Sequence, residues 1–174
     1  KVKNKTFSKV LQSDKLSNDS LMKEILGFLQ ENKLKFDDIS EIFVNQGPGN
    51  FSGLRGSLAT AKGVSLAKNL KLVGYDTFLW SCSKFYKKKD FMYSLIKFRE
   101  KYFIKKFDKN LKNTLKMKEI NENEIIRKYD NEFKIIPKSM SKYFSPKILK
   151  LNNLSITDLD HNDLEFLKLK GLLD

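Results

Sequence analysis

A glycine-rich turn set between two apolar runs does most to restrict what this chain can fold into. Ile42-Phe43-Val44 leads into Gly47-Pro48-Gly49-Asn50, then into a segment from Ser52 to Ala67, and then into a second apolar run, Leu70-Lys71-Leu72-Val73-Gly74-Tyr75. That order is the order of a strand–turn–helix–strand unit, so the chain is α/β. The helix between the strands is unusual. Gly53, Gly56, Ser57, Ala59, Thr60, Ala61, Gly63, Ser65 and Ala67 are all small. A glycine inside a helix costs about 0.5–1 kcal/mol relative to alanine, and a sequence tolerates that cost where another backbone must come close. Gly53, Ser57, Ala61 and Ser65 recur every four residues on one stripe; Gly56, Thr60 and Gly63 lie on its neighbour. Small-residue rows let helix axes approach closely. One stripe suits the chain's own sheet and the other a helix of a partner.

Anion binding at a strand-to-helix turn is a natural alternative, but the fingerprints do not fit. The G-x-G-x-x-G pattern needs a glycine where Ser52 stands, and the P-loop needs G-K-[ST] where the chain has Ser52-Gly53-Leu54. Gly47, Pro48 and Gly49 therefore read as a structural turn. The rest of the chain offers little chemistry. One His and one Cys cannot build a His-pair metal site. His161, within Asp158-Leu159-Asp160-His161-Asn162-Asp163, reads as a solvated residue at a helix start. Cys82 reads as a small buried apolar group. Ser52 lacks the G-x-S-x-G elbow of a serine hydrolase, and Asp37, Asp38 and Glu41 read as a solvated loop. No catalytic, cofactor-binding or metal-binding residue is expected.

Along the chain, Thr6–Gln12 is predicted as a strand. Ser17, Asn18 and Asp19 offer caps for a helix over Ser20–Asn32, whose Leu21, Met22, Ile25, Leu26 and Leu29 form one face. A short turn at Phe36–Ile39 precedes a strand at Glu41–Asn45. After the strand Lys71–Tyr75, a helix over Phe78–Tyr86 is capped by Asp76 or Thr77, with Phe78, Leu79, Cys82 and Phe85 inward. Phe91–Phe98 and Lys101–Phe107 read as a hairpin turning at Arg99-Glu100. Lys109–Asn113 is a polar linker, followed by an ordered run Leu115–Ile120, a helix near Glu122–Tyr129, a strand Phe133–Ile136 and a helical turn or two at Ser139–Phe144. An amphipathic helix from Thr157 to Leu172, through Leu159, Leu164, Leu167 and Leu169, closes the chain. Two lobes are expected, residues 1–83 and a smaller basic lobe, residues 84–174.

The charge is uneven. Of the formal +13, residues 84–150 carry 20 Lys/Arg against 8 Asp/Glu, while residues 151–174 carry 2 against 5. Such a basic middle suits an anionic partner such as RNA, and equally a lysine-rich compositional drift. Without a membrane-length apolar run or disulfide framework, the chain reads as cytoplasmic.

Gly47-Pro48-Gly49-Asn50-Phe51-Ser52-Gly53-Leu54-Arg55-Gly56, then Ala59-Thr60-Ala61-Lys62-Gly63 and Leu72-Val73-Gly74, resemble the signature of the TsaB (YeaZ) family. That pattern runs G-P-G-S-F-T-G-L-R-x-G, A-T-A-K-G, then P-L-V-G, and the likeness covers about residues 17–80. The family's opening strand with an I-D-T-S motif has no counterpart, so the chain looks truncated at its N-terminal side. The D-A-R-R-G-E-V-Y hairpin is represented only by Lys97-Phe98-Arg99-Glu100-Lys101-Tyr102, which lacks the Asp. The resemblance implies the actin/Hsp70/sugar-kinase (ASKHA) architecture, a mixed sheet with flanking helices, here with a truncated first lobe and a small second one. It also implies a non-catalytic subunit that pairs with a TsaD-like catalytic subunit, joined by a TsaE-like ATPase, in adding threonylcarbamoyl to adenosine next to the tRNA anticodon. A homodimer and tRNA contact within the complex are compatible with it. Gly53, Arg55, Gly56, Ser57, Thr60, Gly63 and Val64 are then the candidate interface, with Arg55 either fixing the turn or serving as an interface cation. Two other readings stand beside it: an ATPase or glycoprotease-like peptidase of the same superfold, and a stand-alone basic RNA-binding module.

Overall fold

The computed structural model describes residues 5–11 and 18–173. The chain forms two compact units, Lys1–Gly74 and Tyr75–Asp174, dividing before the third helix rather than after Ser83.

In the first unit α1 (Asn18–Glu31) leads through a single 3-10 turn at Phe36–Asp38 into β1 (Glu41–Asn45), α2 (Phe51–Lys68) and β2 (Lys71–Tyr75). The Asp38 carboxylate accepts from the Lys35 backbone N–H at 2.9 Å and closes the 3-10 turn. β1 and β2 pair as a two-stranded sheet, and α2 packs on β1 and α1. Among its described residues Leu29, Val44, Ala61, Val64 and Val73 are the buried apolar side chains. The strand expected at Thr6–Gln12 does not form over residues 6–11, and Gln12 lies outside the described residues. Val10 is 91% exposed; alternation there has no surface to pack on. Lys9 instead reaches Glu24 and Glu31 of α1. The caps expected at Ser17, Asn18 and Asp19 also lie outside the described side chains.

The second unit is built on a five-stranded mixed sheet ordered β5-β4-β3-β6-β7. β3 (Phe91–Phe98) and β4 (Lys101–Asp108) form the expected hairpin, paired from Phe91↔Asp108 to Phe98↔Lys101, with Arg99 at φ 54 in the turn. β5 (Asn113–Ile120) adds antiparallel to β4, while β6 (Lys134–Pro137) and β7 (Leu154–Thr157) add parallel beside β3. β3 is covered on both faces, so Met92, Tyr93, Ser94, Leu95 and Ile96 are all buried. β5, on the edge, is almost wholly exposed and carries Lys116, Lys118 and Glu119, charges that discourage further strand addition. Tyr93, Leu95, Tyr102, Ile104 and Ile120 join Ile125 of α4 (Glu122–Tyr129), Phe144, and Ile148 of α6 (Pro146–Leu149) in one core; Met140 of α5 (Lys138–Ser141) packs against it.

α3 (Thr77–Cys82) is capped by Asp76, whose Oδ1 accepts from Leu79 N–H at 2.7 Å, and it ends in a 3-10 turn, Ser83–Phe85, rather than continuing as α-helix to Tyr86. Its inner face is also wider than expected. All six residues are buried, Trp80 donates its indole N–H to Asp160 O, and Ser81 Oγ pairs with Ser94 Oγ of β3 at 2.8 Å. The helix expected over Thr157–Leu172 is replaced by β7, which ends at Thr157, and by a shorter α7 (Asn162–Leu169). Leu164 and Leu167 are buried, but Leu169 is 79% exposed and Leu159 lies before the helix. Two short elements, α6 and β7, are absent from the sequence reading. Lys134 is fully buried. Its ammonium donates to three carbonyl oxygens, of Tyr129 (2.6 Å), Asp130 (2.7 Å) and Glu132 (2.8 Å), which satisfies the C-terminal end of α4.

Candidate functional site

The turn after β1 is closed by its own residues. Gly47 is buried at φ +111, a conformation that side-chain-bearing residues rarely adopt, and a Cβ there would lie 3.1 Å from Leu54 Cδ1. Leu54, one turn into α2, also lies under Gly49, so the helix plugs its own entry loop. The Gly47 N–H donates to Asn45 Oδ1 (2.8 Å) and the Ser52 N–H to Asn50 Oδ1 (3.2 Å), which makes Asn50 the N-cap. The N–H groups of Gly47 and Ser52 are thus already occupied. In β2, a Cβ on Gly74 would collide with the Gln46 side-chain amide, which lies across that position. At the far end Asn69 terminates α2 in the left-handed region (φ 52), and Ser65 Oγ donates to Leu70 O at 2.7 Å.

Between these ends α2 has two unlike faces. Ala61 and Val64 are buried, and Leu54, Ser57, Leu58 and Ser65 flank them half-buried. Ser57 uses its hydroxyl on Leu54 O, 3.1 Å away. The opposite face carries Ser52, Arg55, Ala59, Lys62, Gly63, Leu66 and Ala67, all exposed. Ser52, Gly56, Ala59, Gly63 and Ala67 follow one another at spacings of three and four and form an unbroken small-residue row. A Cβ on Gly63 would meet nothing within 4 Å, and one on Gly53 only Asn50 Cβ at 4.0 Å. Phe51 (67% exposed) and Leu66 (84% exposed) stand beside the row, and Arg55 lies 5.2 Å above the Phe51 ring. Of the residues singled out in the sequence, Gly53, Arg55 and Gly63 are exposed, Gly56, Ser57 and Thr60 half-buried, and Val64 faces the interior. The exposed row through Ala59 and Ala67 and its apolar margin at Phe51 and Leu66 were missed. Their helical angles follow from the sequence, but which side the sheet covers does not.

Elsewhere Cys82, His161 and Asp76 are engaged structurally. Desolvation pushes the Cys82 thiol well up, so it is held protonated beside Ser81. His161 lies against Trp80 with ring centroids 5.5 Å apart. Asp76 pairs with Lys105 at 2.6 Å while capping α3. Among the described residues no group of His, Cys, Asp and Glu is disposed to hold a metal ion, and no helix is long and apolar enough to cross a membrane.

A mixed α/β chain with this element order has the fold of YeaZ-type proteins. A crystal structure titled as an uncharacterized protein with similarity to peptidase YeaZ from Pseudomonas aeruginosa matches with a TM-score of 0.64 at 13% identity, over 92% of this chain and 80% of that one. YeaZ from Pseudomonas aeruginosa matches with a TM-score of 0.62 at 13% identity and the same coverage. Residues 12–90 match the family model "TsaD: tRNA N6-adenosine threonylcarbamoyltransferase". Residues 12–90, a little under half of the chain, are thus similar to the TsaD family, and the fold is that of the YeaZ structures. No curated protein sequence matches it.

Proposed function

We propose that the chain is a non-catalytic partner subunit of an ASKHA-type assembly that threonylcarbamoylates tRNA adenosine, and that it docks on a TsaD-like catalytic subunit through the outward face of α2. The observation that carries this reading is at Gly63. Mid-helix glycine is costly, yet among the described residues nothing occupies the space its missing side chain leaves. The same holds nearly as well for Gly53, and Gly56 and Ala59 lie in the same row. The flanking Phe51 and Leu66 add apolar surface that a monomer leaves in water. A partner helix seated on the row gives the missing side chains a purpose and covers both apolar residues. Arg55, exposed at its edge, would serve as an interface cation. A TsaE-like ATPase would join the assembly, and the chain itself would supply no reacting group.

Co-purification with the TsaD-like protein of the same organism tests the reading. Gly63→Leu is expected to leave the chain folded, because the space is open, and to abolish the complex. Retention of the complex by folded Gly63→Leu would overturn the docking assignment. If the chain alone sediments as a dimer that Gly63→Leu dissociates, the same face serves self-association instead.

A further inference from the structure

We infer that one end of the five-stranded sheet is a binding surface for the phosphate backbone of RNA, formed where the loop before β3 meets the turn between β4 and β5. Lys87 N–H donates to Lys109 O at 2.7 Å, which joins the segment Lys87-Lys88-Lys89 to the turn carrying Lys109 and Lys112. The register Phe91↔Asp108 brings the start of β3 alongside, and Lys106 stands 4.2 Å from the Phe91 ring centroid. Lys87, Lys88, Lys89, Lys109 and Lys112 are exposed, and neither they nor Lys106 pair with a carboxylate among the described residues. The two local acids are Asp90 and Asp108, the latter with Oδ1 accepting from the N–H groups of Asn110 and Lys112, both at 2.9 Å, so the lysines outnumber the acids three to one and no ion pair holds any of them to either acid.

The other end of the same hairpin shows what a neutralised surface looks like here. Lys97 pairs with Glu100, Lys101 with Glu119, and Lys118 and Lys128 share Glu124. A lysine-rich composition alone would not sort its acids to one end. Phosphates supply the missing counter-charge and release condensed cations on binding. Rings are interleaved with the free lysines: Phe91 is 49% exposed, and Lys89 lies 4.7 Å from the Phe133 ring. An exposed ring among lysines favours RNA with unpaired bases over an acidic protein, because bases stack on it without regard to sequence.

The inference is independent of the docking face and is tested on the full chain alone, by anisotropy of a labelled single-stranded RNA and a tRNA transcript across a salt series. The variant K88Q/K89Q/K109Q/K112Q is expected to make the slope of log K against log[salt] shallower by about 3, at roughly 0.7–0.9 per lost phosphate contact. Phe91→Ala should weaken single-stranded RNA binding about tenfold. A control with equal charge change on the first unit, K23Q/K33Q/K35Q/K62Q, should leave the slope nearly unchanged. An equal loss in the control, or equally tight binding to anionic phosphatidylserine vesicles, would overturn the inference, as would absence of RNA binding at 50 mM salt. The four-lysine variant should still associate with the TsaD-like subunit. Failure here with association intact sinks only this surface; intact RNA binding with no association sinks only the docking reading.

Discussion

Helices α2 and α3 follow each other in the chain and are stabilised in opposite ways. α3 has six residues, all buried, and every polar group described on it has an internal partner. α2 has eighteen residues, of which only Ala61 and Val64 are buried. A helix that long normally earns its place by covering a broad apolar stripe. α2 packs on β1 and α1 through the narrow stripe of Ala61 and Val64 and is fixed at its ends, by Leu54 in the Gly-Pro-Gly turn and by Asn69 and Ser65 at the exit, with small residues filling much of the rest. The contrast separates a helix that makes the core from one that presents a surface.

The largest effect should come from the core helix. Phe78 is 1% exposed, so Phe78→Ala removes its transfer energy and leaves a cavity, at a cost of about 3–5 kcal/mol. Chemical denaturation should show this as a lower midpoint with an unchanged slope. A cost below about 1 kcal/mol would place α3 outside the core and dissolve the contrast. The buried Lys134 should be nearly as sensitive. Lys134→Met keeps much of the volume but strips three carbonyls of their donor, at roughly 3 kcal/mol. Desolvation lowers the pKa of this lysine and disfavours its charged form, but the three short hydrogen bonds repay the ammonium for staying.

The entry to α2 comes next. Gly47→Ala must place a Cβ at φ +111 and against Leu54, costing about 1–3 kcal/mol. Thermal unfolding of the chain should fall by several degrees. No change would mean that the turn can relax without moving Leu54, and so that α2 is not anchored there.

These differences explain what was legible in the sequence. β1, β2 and the β3–β4 hairpin were readable to within a residue because each is a continuous or alternating apolar run bounded by turn residues. The helix after Gly-Pro-Gly was readable because a glycine-rich turn and a second apolar run, Leu70–Tyr75, bracket it. β7 was not, since it is a short edge strand held by register to β6, with Leu154 opposite Lys134, and half of its apolar content, Ile156, faces water. Lys134 could not be read as core, because a lysine is buried only where carbonyl oxygens converge on it, and that convergence comes from tertiary folding of 129–132. The apolar spacing through Leu159 and Leu169 suggested a longer last helix; the chain spends Thr157 on the sheet and leaves Leu169 outside. For α2, the small residues marked the helix as unusual, but the outward side was fixed only when β1 and α1 covered Ala61 and Val64.

The smallest predicted effect is the one that bears most directly on the comparison, because its sign depends on what α2 is for. If Gly63 served the fold, Gly63→Ala would destabilise the isolated chain. The space beside it is open, so alanine should stabilise the helix by about 0.5–1 kcal/mol through reduced backbone entropy in the unfolded state and better helix propensity. The measured melting temperature of the isolated chain should rise by roughly 2–4 °C. Under the proposed docking, association should move the other way: a methyl group in a close helix crossing would hold the axes apart and weaken binding to the proposed TsaD-like partner. A stabilised chain with a weakened complex is the signature of a residue selected against its own fold's interest. If alanine stabilises the chain and leaves the complex untouched, the glycine serves neither purpose, and α2 loses its standing as the surface-presenting member of the pair.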